Sequence, residues 1–581
     1  MTLAKTPSLW LSIAENPAET PRITPLELSE NMDHTPRHAL SHPTRRSLLR
    51  GLSALAVLGA STGLSGYARA QDVPAAPAPM PTDAAAQQSL PPFSFDALSE
   101  EMRAAASAEP GPRATLPEGF LATLTYDDYR LIRFNPERAR FSSEDSRFRL
   151  HAFHLGWLFK EPVQMFELEG ETARPMAFNT DDFIYEREAA EHAPQHMDLP
   201  GVAGFRLHYP LNRPDIFDEL IAFQGASYFR ALGRGSLYGI SARGLAVNTG
   251  LSVAEEFPRF TRFWIEKPAA GAGRMTLFAA MESASLTGAY RFTIIPGDET
   301  VIEVTARLFF RTDIDQLGIA PLTSMFLYGD RNRDQFNDFR PRVHDSDGLA
   351  ITRADGEQVW RPLANPPRLA SSYFTETAPQ AFGLHQRERD FDAYQDASAH
   401  YERRPSLRVE PLGNWGKGAV RLVEIPSDKE VNDNIVAFWV PEDKARAGES
   451  REYSYRLIWG DLPVDPAAEL AHVTASRAGE GGVSGVENTD GTRKFVIDFK
   501  DGVIAGLPPE ASGPEGALKA NTTIYNGEIV TQTLFKIPSQ GIWRLVLDVH
   551  AENGATVELS AHLSGWGRRL SETWAYQWIK A

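Results

Sequence analysis

From about residue 123 onward, apolar positions fall into short runs rich in aromatic and β-branched side chains, interrupted every few residues by Gly, Pro, Asn or Asp. Residues 153–159, 204–209, 290–295, 301–310 and 324–328 are runs of this kind. Such runs bounded by turn formers predict strands, and their number and spacing predict a large antiparallel sandwich. Helical periodicity is weak. It predicts one helix at 97–107, with Asp96 as N-cap and Pro110 as the stop, and a second at 214–224, where Pro214 suits a first helical position. So little helix disfavours a doubly wound α/β fold.

A last strong strand at 452–459 gives way to Pro463-Val464-Asp465-Pro466, which reads as a linker. Beyond it the strand-turn rhythm repeats in miniature at 495–499, 528–536, 541–550 and 556–562, predicting a small immunoglobulin-like sandwich. The fold expected is all-β, a large sandwich at 93–462, a linker at 463–470 and the smaller sandwich at 471–581. No solenoid or propeller period occurs.

The N-terminus follows a different pattern. Thr44-Arg45-Arg46-Ser47-Leu48-Leu49-Arg50 runs into a weakly apolar stretch at 51–67 and then the small-residue site Ala68-Arg69-Ala70. This is the layout of a cleaved twin-arginine export signal, and the stretch is shorter than the roughly 20 apolar residues a membrane anchor needs. Residues 1–70 are therefore read as a signal region, with Met1 and Met32 both open as starts, and the mature form as free of a transmembrane anchor. Residues 71–92, rich in Pro, Ala and Gln, read as a flexible leader. The expected location is the periplasm.

Composition narrows the function. The absence of cysteine excludes disulfides, thiol nucleophiles and thiolate metal sites. The net charge of −17 becomes −19 once the seven basic and five acidic residues of 1–70 are removed. A strongly acidic chain repels nucleic acid and anionic lipid, whereas neutral ligands meet no such barrier. No Walker A loop, zinc-binding H-E-x-x-H helix or Rossmann fingerprint stands in a credible place, so no cofactor is expected. A G-x-S-x-G run at 59–63 lies inside the signal. The Asp330-Arg331-Asn332-Arg333-Asp334 run has the spacing of a calcium loop, but Gln335 replaces the turn glycine and Pro341 the twelfth ligand; it reads as a polar loop.

Polar and aromatic residues concentrate between 321 and 442. The first part includes Tyr328 and Asp338-Phe339-Arg340-Pro341-Arg342-Val343-His344-Asp345-Ser346-Asp347-Gly348. The second includes Asn414-Trp415-Gly416-Lys417 and Glu430-Val431-Asn432-Asp433-Asn434, followed by a run containing Phe438 and Trp439. Hydrolysis of a glycosidic bond needs a protonated carboxyl at the leaving oxygen and a base acting on water, with aromatic faces to hold the sugars. All three residue types are present. The plain alternative is that Asp433 and Asp345 cap turns.

These segments, with Phe205-Arg206-Leu207-His208-Tyr209-Pro210 and Gln224-Gly225-Ala226-Ser227-Tyr228-Phe229-Arg230, resemble the periplasmic glucan biosynthesis family OpgG/OpgD (MdoG/MdoD) over essentially the whole mature chain. The twin-arginine signal is more like the OpgD branch. The resemblance implies a galactose-mutarotase-like sandwich joined to an immunoglobulin-like domain. It also implies action on β-1,2-glucan chains, as an inverting endo-β-1,2-glucanase or a transglycosylase. The family's general acid falls at Asp433, its base-side aspartate at Asp345 or, less well aligned, Asp347, and Glu430 becomes a supporting carboxylate. Tyr328, Arg340, His344, Asp347, Trp415, Lys417 and Trp439 are the expected substrate-binding residues. A carboxyl near other carboxylates and shielded by Trp415 and Trp439 would stay protonated, as an acid requires. Arg340, Arg342 and Lys417 are read as donors to sugar hydroxyls or as partners of the acids.

Two other functions fit the same residues. One is a scaffold that binds nascent glucan and presents it to membrane-bound synthesis machinery without turnover. The other is a mutarotase-like epimerase, which would need a catalytic His, with His344 and His208 as candidates.

Overall fold

The computed structural model describes residues 92–580, apart from 484 and 490; the signal region and nearly all of the leader lie outside the described residues. Strands form where side chains alternate between a buried and a more open face. Thr300–Phe310 is the clearest, its even-numbered residues from 300 to 308 buried and the intervening ones partly open. It continues an antiparallel meander formed by Arg259–Glu266, Met275–Glu282 and Leu286–Ile295, and its other edge pairs with Ser450–Gly460. Together they form the middle of a fifteen-stranded sheet.

A ten-stranded sheet packs against it. Its main path runs through Arg149–Phe153, Gly204–Tyr209, Asp218–Gln224, Tyr228–Ala231, Ser241–Arg243, Leu317–Ser324, Ile435–Pro441, Lys417–Glu424 and Ala370–Thr377. Aromatic side chains fill the space between the sheets. Phe223 stacks on Phe205 and Phe229, with ring centroids 5.1 Å apart in both cases, and meets Phe263 and Phe292 edge-on. The fold is thus an all-β sandwich, as the run pattern predicts. It is not wholly antiparallel, because Gln164–Glu169 runs parallel to Arg259–Glu266.

Helix Phe95–Ala106 lies on the outer face of the large sheet, where Leu98 and Met102 meet Trp264, Phe278 and Phe309. Its N-cap is Ser94, whose Oγ accepts from the Ala97 N–H at 3.0 Å. The expected cap, Asp96, instead pairs with Arg307 at 2.6 Å.

The helix expected at 214–224 does not form; Asp218–Gln224 is a strand between Gly204–Tyr209 and Tyr228–Ala231. Leu220, Ile221, Ala222 and Phe223 are all buried, and a short apolar run covered on both faces carries no period that separates helix from strand. The run expected at 153–159 ends as a strand at Phe153, because Gly156 and Trp157 take positive φ values of 130° and 51°.

Beyond Asp461 the chain forms a four-stranded sheet of His472–Glu480, Arg493–Lys500, Ile542–His550 and Glu528–Ile537. The remaining strands, Lys519–Tyr525, Thr556–Gly565, the short Arg568–Arg569 and Thr573–Ile579, extend the fifteen-stranded sheet, with Thr573–Ile579 parallel to Gln358–Pro362. A second core lies here. Trp543, Trp574 and Phe495 share it with Trp360 of the preceding segment.

Candidate active site

The site forms where one strand of the ten-stranded sheet is interrupted. The run expected at 324–328 breaks at Met325 into Leu317–Ser324 and Phe326–Tyr328, and the Met325 carbonyl, thereby freed, accepts from the Asp345 N–H at 2.8 Å. Ser346 Oγ lies 2.7 Å from Ser324 Oγ. Opposite them, buried Asn434 pairs with Phe326 as a strand backbone would. Its Oδ1 accepts from the Phe326 N–H at 2.8 Å, and its Nδ2 donates to the Phe326 and Ile425 carbonyls at 2.9 and 3.0 Å. These bonds hold Asp433 and Asp345, from two loops nearly ninety residues apart in sequence, near enough for the charge of Asp345 to act on Asp433.

Asp433 keeps 11 % of its side-chain surface open, and its Oδ2 has no hydrogen-bond partner among the described residues. Arg230 Nη2 is 3.7 Å away. Burial pushes the Asp433 pKa up to about 6 against the pull of Arg230, with the Asp345 charge adding to the rise. Asp345 is itself buried and bonded by Arg404 Nη1 at 2.8 Å; burial raises its pKa, and Arg404 and Arg230 oppose the rise. Two carboxyls thus share a pair of arginines in a shielded setting.

Glu430 stands at the rim, with 46 % of its side chain exposed. Arg340 Nη2 reaches it at 2.9 Å and the Tyr401 hydroxyl at 3.4 Å. Arg340 also binds Asp338 and Asp396, each at 2.8 Å, so it ties three acids together. Tyr328, Arg340 and Glu430 line a cleft of about 430 Å³ with Phe336, Lys429 and Val431. Tyr328 is otherwise buried, stacked on Phe336 at 4.8 Å.

Asp347 does a different job from Asp345. Its Oδ2 accepts from the N–H groups of Arg387 and Glu388 at 2.6 and 2.8 Å, and its Oδ1 is 3.5 Å from His344 Nε2. His344 is buried, stacked on Phe326 at 5.1 Å and bonded through Nδ1 to Gln386 at 3.1 Å. Burial lowers its pKa to about 4, so it is neutral near pH 7. Arg342 is held by Asp330 at 3.0 Å and by Glu388 at 3.1 Å. Asp330 and Asn332 of the calcium-like run are engaged in that ion pair and in backbone bonds to Gly329 and Leu327.

Three expected substrate contacts are not brought to this place. Trp439 is completely buried between the sheets, and Trp415 packs on it at 6.3 Å while its Nε1 donates to the Ser454 carbonyl. Both faces of the strand Ile435–Pro441 are covered, so Phe438 is buried as well. Lys417 is exposed at the far end of the hairpin; at the near end it is Glu424, not Lys417, that lies opposite Ile435. At about 3.3 Å per residue, Lys417 is roughly 20 Å or more from Asp433 along the strand. Closeness within the sequence motif does not survive the hairpin's antiparallel course.

Arg230, Arg404, Arg243 and Tyr401 were not singled out from sequence, although Arg230 closes one of the family-like segments. Arg243 pairs with Glu255 at 2.9 Å and lies over the Tyr228 ring at 4.6 Å. The polar face also continues away from Asp433. Arg230 lies opposite Ala222, Ala222 opposite Arg206, and Arg206 opposite His151, a row that extends roughly 14 Å at about 4.8 Å per strand. His151 Nδ1, Arg206 Nε and His208 Nε2 are buried without hydrogen-bond partners among the described residues. Burial lowers the His208 pKa to about 4.

The profile of the family described as "Periplasmic glucan biosynthesis protein, MdoG" matches residues 93–578, and the chain belongs to that family. A Cereibacter sphaeroides protein named Glucans biosynthesis protein G is 60 % identical over 538 residues, spanning 92 % of this chain and 98 % of its own. Proteins of the same name from Shewanella frigidimarina and Rhodopseudomonas palustris are 44 % and 42 % identical. They cover 80 % and 87 % of this chain, and 80 % and 97 % of their own lengths. All three carry the G name. The residues that pointed to the D branch lie outside the described part of the chain. Among the described residues, no helix is long and apolar enough to cross a membrane.

Proposed function

We propose that this chain cleaves or transfers β-1,2-linked glucan backbones in the periplasm, with inversion at the anomeric carbon and Asp433 as general acid. Export by the twin-arginine route belongs to the same reading. The family supplies the link to glucan, and the β-1,2 linkage follows from the resemblance read in the sequence. The observation that carries the chemistry is the Asp433 carboxyl: slightly open, its Oδ2 without a hydrogen-bond partner among the described residues, and lifted to a pKa of about 6 by burial and by Asp345.

The protonated form of Asp433 donates to the oxygen of the departing sugar. Asp345 acts on the base side, drawing the proton from water in hydrolysis or from a sugar hydroxyl in transfer. Inverting geometry leaves room for that acceptor, with carboxyls roughly 6.5–9.5 Å apart or a longer relay through hydroxyls and water. Glu430 and Arg340 sit on the cleft wall as supporting groups. The row from Arg230 to His151 offers donors and acceptors for further sugars of a long chain. His-based epimerisation is disfavoured, because His344 is buried and held between Gln386 and Asp347, and His208 is half-buried with its pKa lowered to about 4 by the burial of its ring.

The test is incubation of the mature protein with linear β-1,2-glucan, following chain length and product anomer. Wild type is expected to shorten or cyclise the chains, and Asp433→Asn to lower the rate by about 10²- to 10⁴-fold. Binding without turnover by wild type would replace this reading with the scaffold that presents glucan to membrane-bound synthesis machinery.

A further inference from the structure

The sequence singled out two aspartates in His344-Asp345-Ser346-Asp347, and only one of them faces Asp433. We infer that the other, Asp347, is the end of a brace by which Glu572, immediately before the strand Thr573–Ile579, positions Asp345 through Arg387. The inference rests on the reading of Asp345 as the base-side group.

The brace is continuous in its contacts. Glu572 is buried, and its carboxylate takes both arms of the Arg387 guanidinium, at 2.7 and 3.0 Å. Its Oε1 also accepts from the Val473 N–H at 2.5 Å. The Arg387 guanidinium lies 3.6 Å from the Trp360 ring centroid and donates to the Val473 carbonyl at 2.9 Å, so it cannot swing. The backbone of the same residue and the next grips Asp347 Oδ2. Asp347 is tied again through its own backbone, donating to His385 and accepting from Leu363 at 2.8 and 2.9 Å.

A second strut runs beside the first. Glu388 holds Arg342, Arg342 holds Asp330, and Asp330 meets Arg477 of the C-terminal strands at 3.6 Å. The space between the struts is about 50 Å³, room for water rather than a ligand. Its charges are therefore spent on one another. A buried ion pair stabilises no better than apolar packing of the same shape, but it fixes geometry. What it fixes here is a turn of four residues whose second member is Asp345.

The experiment compares wild type, Glu572→Gln, and the apolar double variant Arg387→Met with Glu572→Leu. It reads hydrogen exchange in the peptide spanning 343–349 together with kcat, KM and the pH profile on β-1,2-glucan. Exchange in that peptide is expected to rise severalfold in both variants, with kcat falling about tenfold, KM within about twofold, and the limb assigned to Asp345 displaced. The double variant keeps a packed core, so it carries the test if Glu572→Gln does not fold. Unchanged exchange at 343–349 would overturn the brace, as would a rise spread evenly over the chain with kcat intact. Raised exchange at 343–349 in the variants, where the wild type itself never cleaves glucan, would sustain the brace and remove the glucanase reading instead.

Discussion

Asp433 combines two demands that oppose each other. As the proposed acid it must stay protonated, and the burial that achieves this disfavours its charged form in the fold. Its folded pKa of about 6 stands above the ordinary 3.8, so the folded chain holds this proton more tightly than the unfolded one. The stability it contributes is therefore complete below about pH 4 and is lost as the pH rises through 6, a difference on the order of 3 kcal/mol. Asp433→Asn is expected to raise the melting temperature at pH 8, to leave it near wild type at pH 4, and to lower turnover by the same about 10²- to 10⁴-fold at both. Equal shifts at the two pH values in thermal melts would show that ionisation of Asp433 is not what strains the site. Asp345 and Asp347 differ at this scale in what grips them: a guanidinium for one, two backbone N–H groups for the other.

At the scale of elements, the hairpin Lys417–Glu424 with Ile435–Pro441 decides which motif residues meet. The strand run itself was legible in the sequence, since its aromatic and β-branched residues have no other good use. Its burial on both faces was not, because that depends on a second sheet and on Phe438 packing with Val423 and Val436 outside it. Lys417→Ala is expected to leave glucan cleavage within about twofold of wild type, as expected for an exposed residue away from the site. Trp439→Ala is expected to destabilise the chain by roughly 3–5 kcal/mol in denaturant melts, through the cavity it leaves, rather than to weaken binding of glucan. A large loss of glucan affinity in a Trp439 variant of unchanged stability would return that tryptophan to the substrate. At 218–224 pairing on both edges overrode a local pattern too short to choose between helix and strand.

Over the whole molecule, the C-terminal strands share hydrogen bonds and charges with the sandwich before them. Thr573–Ile579 runs beside Gln358–Pro362, and Arg387 meets Glu572 across the same boundary. A single unfolding transition in calorimetry is the expected result, whereas two well-separated transitions would mark the C-terminal part as a module that folds by itself. The sequence by itself determined the all-β class, the absence of cysteine chemistry, the acidic charge and the two segments that hold the carboxyls. Each of these follows from residue type or from short-range alternation, which neighbours in the chain suffice to set. Only the tertiary structure decided that Arg230 and Arg404 flank the acids, that Trp415 and Trp439 are core, and that Asp347 faces the C-terminal strands. Those outcomes depend on which strands lie side by side, and pairing between residues a hundred or more positions apart leaves no mark in the local pattern of a single chain.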